Sequence, residues 1–536
     1  MPGTDAAVRS TLEAYAPATG DVLGSVPVAS AADVHAAIAE AREVQRLWAQ
    51  LRLADRARYM ARAAQAVIDE SEEVVALVSR EQGRPRAEAE LHELLPTIET
   101  LQWLAQNGPK ILSGERVALS RVLHPLTRAR WRYEPLGVVG VIGAATEPFA
   151  TPLGDVAVAL MAGNGVVLKP SPHGALSGER VARVFARAGL PEGLLAVVHG
   201  HADAGQALVD GAVDQVRFTG SLRAGRGVLE RCAQGVKRAV LEMGGKDAAL
   251  VCADANVARA IEGIAWGAFA NAGQSGGSVK RVLAVREVGD AVVQGLVAQA
   301  VARRLGDPRD ADTEIGPLVT HDRRDRVREL LDDAVAAGAT LHCGGPVEVE
   351  GLSGAFCAPA VLSRVPPGAR ILREEAPGPV VVVSVVDDEE AAIAAVNESA
   401  LGLGASVWTA DRYKGARIAR ELRVGMVWMN QHLVSRSAPQ LPWGGIGGSG
   451  LGRARGAIAL RTCAEPKVTT WDPPRGRPFW WFPYDGALAD SGRAIARLRS
   501  ARDADRERAL RDGTVPLGRI AVRVGRALRS PARTRR

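Results

Sequence analysis

Apolar positions along this chain fall into two regimes. Near the start they keep a helical period. Ser30 and Asp33, short oxygen-bearing residues suited to a helix start, precede Val34, Ala37, Ile38, Ala41, Val44 and Trp48 along one face. From residue 137 the pattern becomes short, continuous, β-branched runs: GVVGVIGAA (137–145), GVVLKPS (165–171), LLAVVHG (194–200) and QVRFTG (215–220). Helical spacing near 153–162, 175–188 and 202–210 separates them. Continuous apolar strands alternating with helices predict a parallel sheet covered on both faces, an α/β architecture of the dinucleotide-binding type. A second series follows: AALVCA (248–253), a helix near 255–270, RVLAVRE (281–287) and a helix across 289–305. GLGASVWTAD (402–411) and GMVWMN (425–430) read as its late strands. Between 116 and 136 the chain is too polar for a central sheet and reads as two strands joined by a Pro-containing turn.

A chain of 536 residues has room for two or three domains. No apolar run reaches the ~18–20 residues of a membrane-spanning helix, and the N-terminus lacks the charged-then-apolar layout of a signal peptide. A cytoplasmic protein is expected. The cysteines at 232, 252, 343, 357 and 463 are odd in number and form no CxxC pair, which predicts reduced thiols and no metal site.

The net charge of +7 is unevenly spread. Residues 473–536 carry 16 arginines and 6 acids, a balance of +10, so the first 472 residues hold −3. This tail opens with Pro478-Phe-Trp-Trp-Phe-Pro-Tyr484. Leu488, Gly492, Ile495 and Leu498 then recur at helical spacing with Arg493, Arg497 and Arg499 among them. A second stretch sets Leu517, Ile520, Val524 and Leu528 against Arg519, Arg523, Arg526 and Arg529. Basic amphipathic helices beside aromatic anchors suit an anionic membrane surface. The competing reading packs the aromatic run onto the body and leaves the arginines solvated. No nucleic-acid-binding module accompanies the charge, so no specific nucleic acid is expected.

Candidate chemistry gathers at strand ends. Phe218-Thr219-Gly220-Ser221 closes a strand and opens a helix, where free amides and the positive dipole end attract phosphate. Gly220 lets the backbone approach, and Gly225 lets the helix pack closely. Lys169 lies at the C-terminal end of a strand, where α/β sheets bind ligands. No G-x-G-x-x-G fingerprint follows the first strand, which counts against an ordinary Rossmann dehydrogenase.

Leu241-Glu242-Met243-Gly244-Gly245-Lys246 and Asn271-Ala272-Gly273-Gln274-Ser275-Gly276-Gly277-Ser278-Val279-Lys280-Arg281 carry the strongest signal. With Gly137–Ile142, Ala162–Ser171, Phe218–Ser221, Glu374–Val380 and Pro442–Arg453, they fall in order over roughly residues 12–471. In that arrangement the chain resembles the NAD(P)-dependent aldehyde dehydrogenase superfamily. The resemblance implies two parallel-sheet domains plus a β oligomerisation arm. The cofactor domain would take 1–115 and 137–243, the arm 116–136, the catalytic domain 244–457, an oligomerisation strand 458–472 and the basic aromatic tail 473–536. In the family the arm crosses to a neighbouring subunit and pairs with a late strand, here Glu465–Trp471, so a homodimer or tetramer is expected.

The resemblance also assigns roles. NAD or NADP is the implied cofactor. Lys169 and Ser171 fall at the adenosine side, Gly220 and Ser221 beneath the pyrophosphate, and Glu375 at the nicotinamide ribose. Pro172 stands where NAD-preferring relatives carry a glutamate that repels a 2′-phosphate, so NADP should be tolerated. Glu242 falls at the general base for thioester hydrolysis. The family signature N-x-G-Q-x-C-x-x-x-x-R puts Gly276 where the nucleophilic cysteine belongs, and glycine cannot form a covalent adduct. Thr146 replaces the oxyanion-binding asparagine, and Pro377 the phenylalanine beside the nicotinamide. The first reading is therefore an NAD(P)-binding family member impaired in thiol-dependent aldehyde oxidation. A second is an active NAD(P)-dependent oxidoreductase on an aldehyde or semialdehyde by a non-thiol route through Glu242. A third is a membrane- or partner-binding scaffold acting through its tail.

Overall fold

The computed structural model describes residues 10–529 except 122, 125, 475–477, 479 and 483. It divides into two compact units, a body of Met1–Ser113 with Tyr133–Pro466 and a smaller unit of Gly114–Arg132 with Lys467–Arg536.

In the body, the predicted first helix runs Ala31–Trp48 and begins in a capping box: the Asp33 amide donates to Ser30 Oγ (3.2 Å) and the Ser30 amide to Asp33 Oδ2 (2.9 Å). Its apolar stripe faces a six-stranded sheet, in spatial order Gly450–Leu451, Arg238–Met243, Gln215–Gly220, Val138–Ile142, Gly165–Lys169 and Leu195–Val197. The central strands Val138–Ile142 and Gly165–Lys169 are buried along their whole length, as their unbroken apolar runs require. One face carries a core built around Trp48, Met60, Leu101, Phe149 and Phe185, the other a core around Ile38, Leu208 and Phe218.

The second sheet has seven strands: Thr340–Pro346, Cys357–Ser363, Val380–Val386, Val279–Val285, Asp247–Val251, Gly404–Trp408 and Met426–Met429. All neighbours are parallel except the first pair.

One boundary departs from expectation. The segment after 449 returns to the first sheet: Gly450 and Leu451 pair antiparallel with Glu242 and Leu241, and Ala459, Leu460 and Cys463 enter the first sheet's core. A two-residue strand carries no periodicity of its own, so tertiary contact alone defines it. The expected pairing of the arm with the late strand forms. Within the one chain, the smaller unit's sheet runs Ala464–Trp471, Arg128–Pro135 and Glu115–Val117. The late strand satisfies the arm's edge itself, with Thr127 Oγ1 donating to Asp472 Oδ1 (2.6 Å) and the Arg128 guanidinium 5.7 Å from the Trp471 ring centroid.

The tail of this smaller unit forms two helices packed on each other, Gly486–Leu498 and Asp503–Arg529. Ile495 is buried as its spacing predicts. Phe479 and Pro483 lie outside the described residues, as do the side chains of Leu517, Ile520, Arg523, Val524, Arg526, Leu528 and Arg529.

Candidate active site

The C-terminal ends of the first sheet's parallel strands open into a cleft of about 450 Å³, a size within the usual range of ligand sites. Ile142 leads into the loop of Thr146, Gly165–Lys169 ends at Lys169 and Ser171, Gln215–Gly220 at Gly220 and Ser221, and Arg238–Met243 at Glu242. From the second sheet's side come Gly273, Gln274, Gly276, Glu375 and Pro377. Every site residue singled out from the sequence thus lines one cleft, except Gly225. A methyl at Gly225 would overlap Met243 Sδ, so this glycine sets the packing of helix Leu222–Gln234 against the strand that bears Glu242.

The individual geometries suit a dinucleotide. Ser221 caps that helix by accepting from the Ala224 amide (3.3 Å). Lys169 is buried, and its Nζ donates to the Pro170 carbonyl (3.0 Å), leaving donor capacity for a ligand. Burial pulls this amine down to about 8, opposed by Asp203. Glu375 is open to the cleft beside Gly244, where any side chain would overlap its carboxylate.

The loop carrying Gly276 is held by the residues around it. Asn271 and Ala272 adopt positive φ (54° and 50°). Asn271 Nδ2 donates to the Thr146 carbonyl (3.2 Å), which also accepts from Arg84 Nη2 (2.8 Å). Gln274 Oε1 accepts from the Val319 amide (3.0 Å) and Arg323 Nη1 (2.9 Å). The buried Lys280 ammonium joins the carbonyls of Gly273 (2.7 Å) and Gly378 (2.8 Å), tying this loop to the Glu375 segment. Arg281 is structural as well, donating to the carbonyls of Lys246 and Ala395. These bonds fix the loop that brings Gly276 to the cleft.

Gly276 itself is not demanded by the backbone. Its φ lies outside the left-handed region, and a Cβ built there meets no atom within 4 Å. No described cysteine lines the cleft: Cys232, Cys252, Cys357 and Cys463 are buried and Cys343 is half-buried elsewhere. Burial pushes the Cys252 and Cys357 thiols up to about 12. Ser278 is buried with its hydroxyl on the Ala268 carbonyl (3.2 Å), and Ser275 is buried too.

Glu242 is buried and its Oε1 has no hydrogen-bond partner. Burial, reinforced by Asp155, raises its carboxyl to about 8 against the opposing charges of Arg217 and Arg455. Arg217 is itself committed to Asp155 at 2.6 Å.

A model of the aldehyde dehydrogenase family matches residues 4–469. The chain belongs to this family. It is similar to a 4,4'-diapolycopene aldehyde oxidase of Methylomonas, 33% identical over 479 residues that cover 89% of each protein. A betaine aldehyde dehydrogenase of Cereibacter sphaeroides is 34% identical over 84% of this chain and 92% of its own. Among solved structures, the NAD+ complex of a Mycobacterium tuberculosis aldehyde dehydrogenase superposes with a TM-score of 0.82 at 35% identity, covering 86% of this chain and 95% of its own. The NAD+ complex of the Bacillus cereus aldehyde dehydrogenase gives 0.83 at 33%, covering 86% and 93%.

This aldehyde dehydrogenase family member has cleft residues that its sequence did not single out. Arg323, in helix His321–Ala336, contributes a guanidinium, and Trp443 an aromatic wall. Glu147, next to Thr146, and Thr151 complete the mouth on the side of Glu242. The late glycine-rich motif ends at Arg453, which is structural, donating to the carbonyls of Gly445 (3.0 Å) and Gly452 (2.7 Å). The arginine that faces an internal chamber is Arg455, two residues on.

Proposed function

We propose that this chain is an NAD(P)-binding aldehyde dehydrogenase family protein in which thiol-dependent aldehyde oxidation is lost. The observation that carries the reading is Gly276: it lies in the cleft with open space where a side chain would stand, and no described thiol lines that cleft. When bound, the dinucleotide would supply a hydride acceptor. Lys169, Ser171, Gly220 and Ser221 would hold its adenosine and pyrophosphate, and Glu375 its nicotinamide ribose. Pro172 places no carboxylate at the cleft's adenosine side, so NADP is admitted beside NAD. Thr146 offers a hydroxyl where an oxyanion would form, with shorter reach than an amide.

The non-thiol route would use Glu242 as the base that deprotonates an aldehyde hydrate. A carboxyl held near 8 is mostly protonated at neutral pH, which works against that role. Calorimetry with NAD+ and NADP+, run beside reduced-dinucleotide formation from an aldehyde panel, separates the readings. Micromolar-to-millimolar dinucleotide binding with negligible turnover is expected, and turnover at ordinary dehydrogenase rates would sink it.

Self-association through the smaller unit is part of the same proposal. Val117, Val468 and Trp471 are exposed on its sheet, Val468 at 70%. Light scattering should show a dimer or tetramer, and a species of 56.4 kDa at micromolar concentration would refute it. We also propose that the tail attaches to an anionic membrane surface. Trp481, Phe482 and Tyr484 are 55%, 70% and 65% exposed beside an arginine-rich helix, rather than folded inward.

A further inference from the structure

The smaller unit carries positive charge on its sheet as well as on its tail. Residues 114–132 hold five arginines against one acid. Side chains alternate along strand Arg128–Pro135, so Arg128 and Arg130 share one face. Arg116 joins them, because it lies directly opposite Arg130 in the antiparallel pair with Glu115–Val117. Glu115 lies opposite Trp131 and Val117 opposite Ala129, which places that acid and that valine on the other face. Trp471, 52% exposed, lies under the Arg128 guanidinium, and alternation along Ala464–Trp471 adds Lys467 to the arginine face.

Directly opposed residues hold their Cβ atoms about 4.5–5.5 Å apart, a placement that like charges oppose, and a diagonal neighbour such as Arg128 lies within about 7–8 Å. All three arginines are exposed, and none is in an ion pair among the described residues. The acids nearest them along the late strand are engaged: Glu465 pairs with Arg238, and Asp472 accepts from Thr127 (2.6 Å).

The unit's apolar surface identifies the kind of anion. His124 and Trp480 meet at 5.2 Å between ring centroids, and Arg499 Nη2 donates to Ser120 Oγ (2.9 Å), so the tail is fastened to the arm. Trp481, Phe482 and Tyr484 stay exposed, as do Leu510, Val515 and Val522. A nucleic acid would leave that hydrocarbon in water, whereas a bilayer takes it up.

We propose that the arginine face binds the headgroup of an acidic lipid whose phosphate is a monoester, phosphatidate being the simplest. The inference rests on the tail's attachment to a membrane. A phosphomonoester carries about −1.5 to −2 charge near neutral pH and three acceptor oxygens, so it accepts from Arg116 and Arg130 together and cancels their repulsion. A phosphodiester headgroup offers less charge and fewer open oxygens.

Co-sedimentation of the full-length protein tests this, with phosphatidylcholine vesicles containing either phosphatidate or phosphatidylglycerol at matched surface charge. Phosphatidate vesicles should bind about tenfold more tightly. Arg116→Gln with Arg130→Gln should weaken binding to both, since each basic residue near the surface adds attraction, and should bring their ratio to about one. The same variant should unfold at no lower temperature than wild type, because a like-charge pair is lost. Arg508→Gln with Arg511→Gln removes equal charge from the tail helix and should keep the ratio. Equal binding of both vesicles by the wild-type protein, a ratio that survives the first variant, or one that the second variant erases would overturn the proposal. So would tighter binding of a single-stranded oligonucleotide that the first variant abolishes. Replacing Trp481, Phe482 and Tyr484 by serine separates the two readings: phosphatidylglycerol binding unchanged with the phosphatidate preference intact counts against insertion of the tail and not against the headgroup site.

Discussion

Gly450 lies directly opposite Glu242 in an antiparallel pair, so the late glycine-rich segment closes the sheet on the strand that presents the carboxyl. Two further bonds fasten this contact: the Met243 amide donates to the Ser449 carbonyl (3.0 Å) and Ser449 Oγ to the Gly244 carbonyl (2.8 Å). A methyl at Gly450 would overlap the Leu241 carbonyl. Gly450→Ala should therefore cost about 2 kcal/mol or more by denaturant unfolding. A change within ~0.5 kcal/mol would show that the pairing is dispensable.

Gly276→Cys should fold with unchanged stability, since its side chain enters open space in a backbone conformation any residue adopts. The new thiol should react with a thiol reagent in the native protein, unlike the buried native cysteines. Turnover should be low, because Thr146 would still stand at the proposed oxyanion position. Adding Thr146→Asn should raise it by about 10²–10³, the usual worth of one oxyanion donor. Full activity from the single change would show that the oxyanion site is intact as it stands.

Much of the fold was legible because strands such as Val138–Ile142 and Gly165–Lys169 are buried on both faces and must be apolar throughout. The helices from Leu53 to Leu112 were not. In Leu53–Asp69 most buried positions are alanines such as Ala57, Ala63 and Ala64, a residue that sits as readily on a solvent face. A π-helical turn at Glu90–Leu94 then breaks the period around the buried Glu93, whose carboxylate accepts from the Ala150 amide (2.6 Å). The cleft was legible wherever glycine or loop motifs form it. Arg323 was hidden in the charged run HDRRDRVREL, where each arginine reads as solvated, and only the fold turns this one towards Gln274. Arg455 was hidden the same way behind Arg453.

Dinucleotide affinity should fall about tenfold on Lys169→Ala, which removes a donor from the cleft, and again on Glu375→Gln, which replaces a charged acceptor by a neutral amide. Pro172→Glu should shift preference towards NAD by placing a carboxylate against a 2′-phosphate. Isothermal titration with NAD+ and NADP+ measures both. Unchanged affinities in all three variants would remove these residues from the site.

Burial holds the Glu242 carboxyl at about 8, against an ordinary 4.5. Because the folded value is raised, the unfolded chain loses this proton first, so the group erodes stability as pH climbs from about 4.5 to about 8. Glu242→Gln, neutral throughout, should be level with wild type near pH 4 and more stable by a margin that grows up to pH 8. Thermal unfolding across that range reads the difference. A margin that is flat, or largest at low pH, would mean the carboxyl is ionised in the native protein. Any turnover that depends on Glu242 as a base should likewise rise through pH 8.

The tail should bind anionic membranes through its aromatic run. Trp481, Phe482 and Tyr484 present rings to solvent, with the Phe482 and Tyr484 rings tilted against each other at 4.5 Å between centroids. Leu510, Val515 and Val522 are exposed on the following helix, at 60%, 63% and 53%. That helix also carries a surplus of arginine, so insertion of the rings and attraction to acidic headgroups would act together. The protein should co-sediment with vesicles containing phosphatidylserine, and much less with phosphatidylcholine alone. Replacing Trp481, Phe482 and Tyr484 by serine should weaken co-sedimentation at least ~tenfold while leaving NAD+ binding unchanged. Raised salt should weaken it further, because the headgroup attraction is screened over about 8–10 Å. Equal sedimentation of the wild-type and serine-substituted proteins would assign the exposed rings to a protein partner or a second copy of the chain instead.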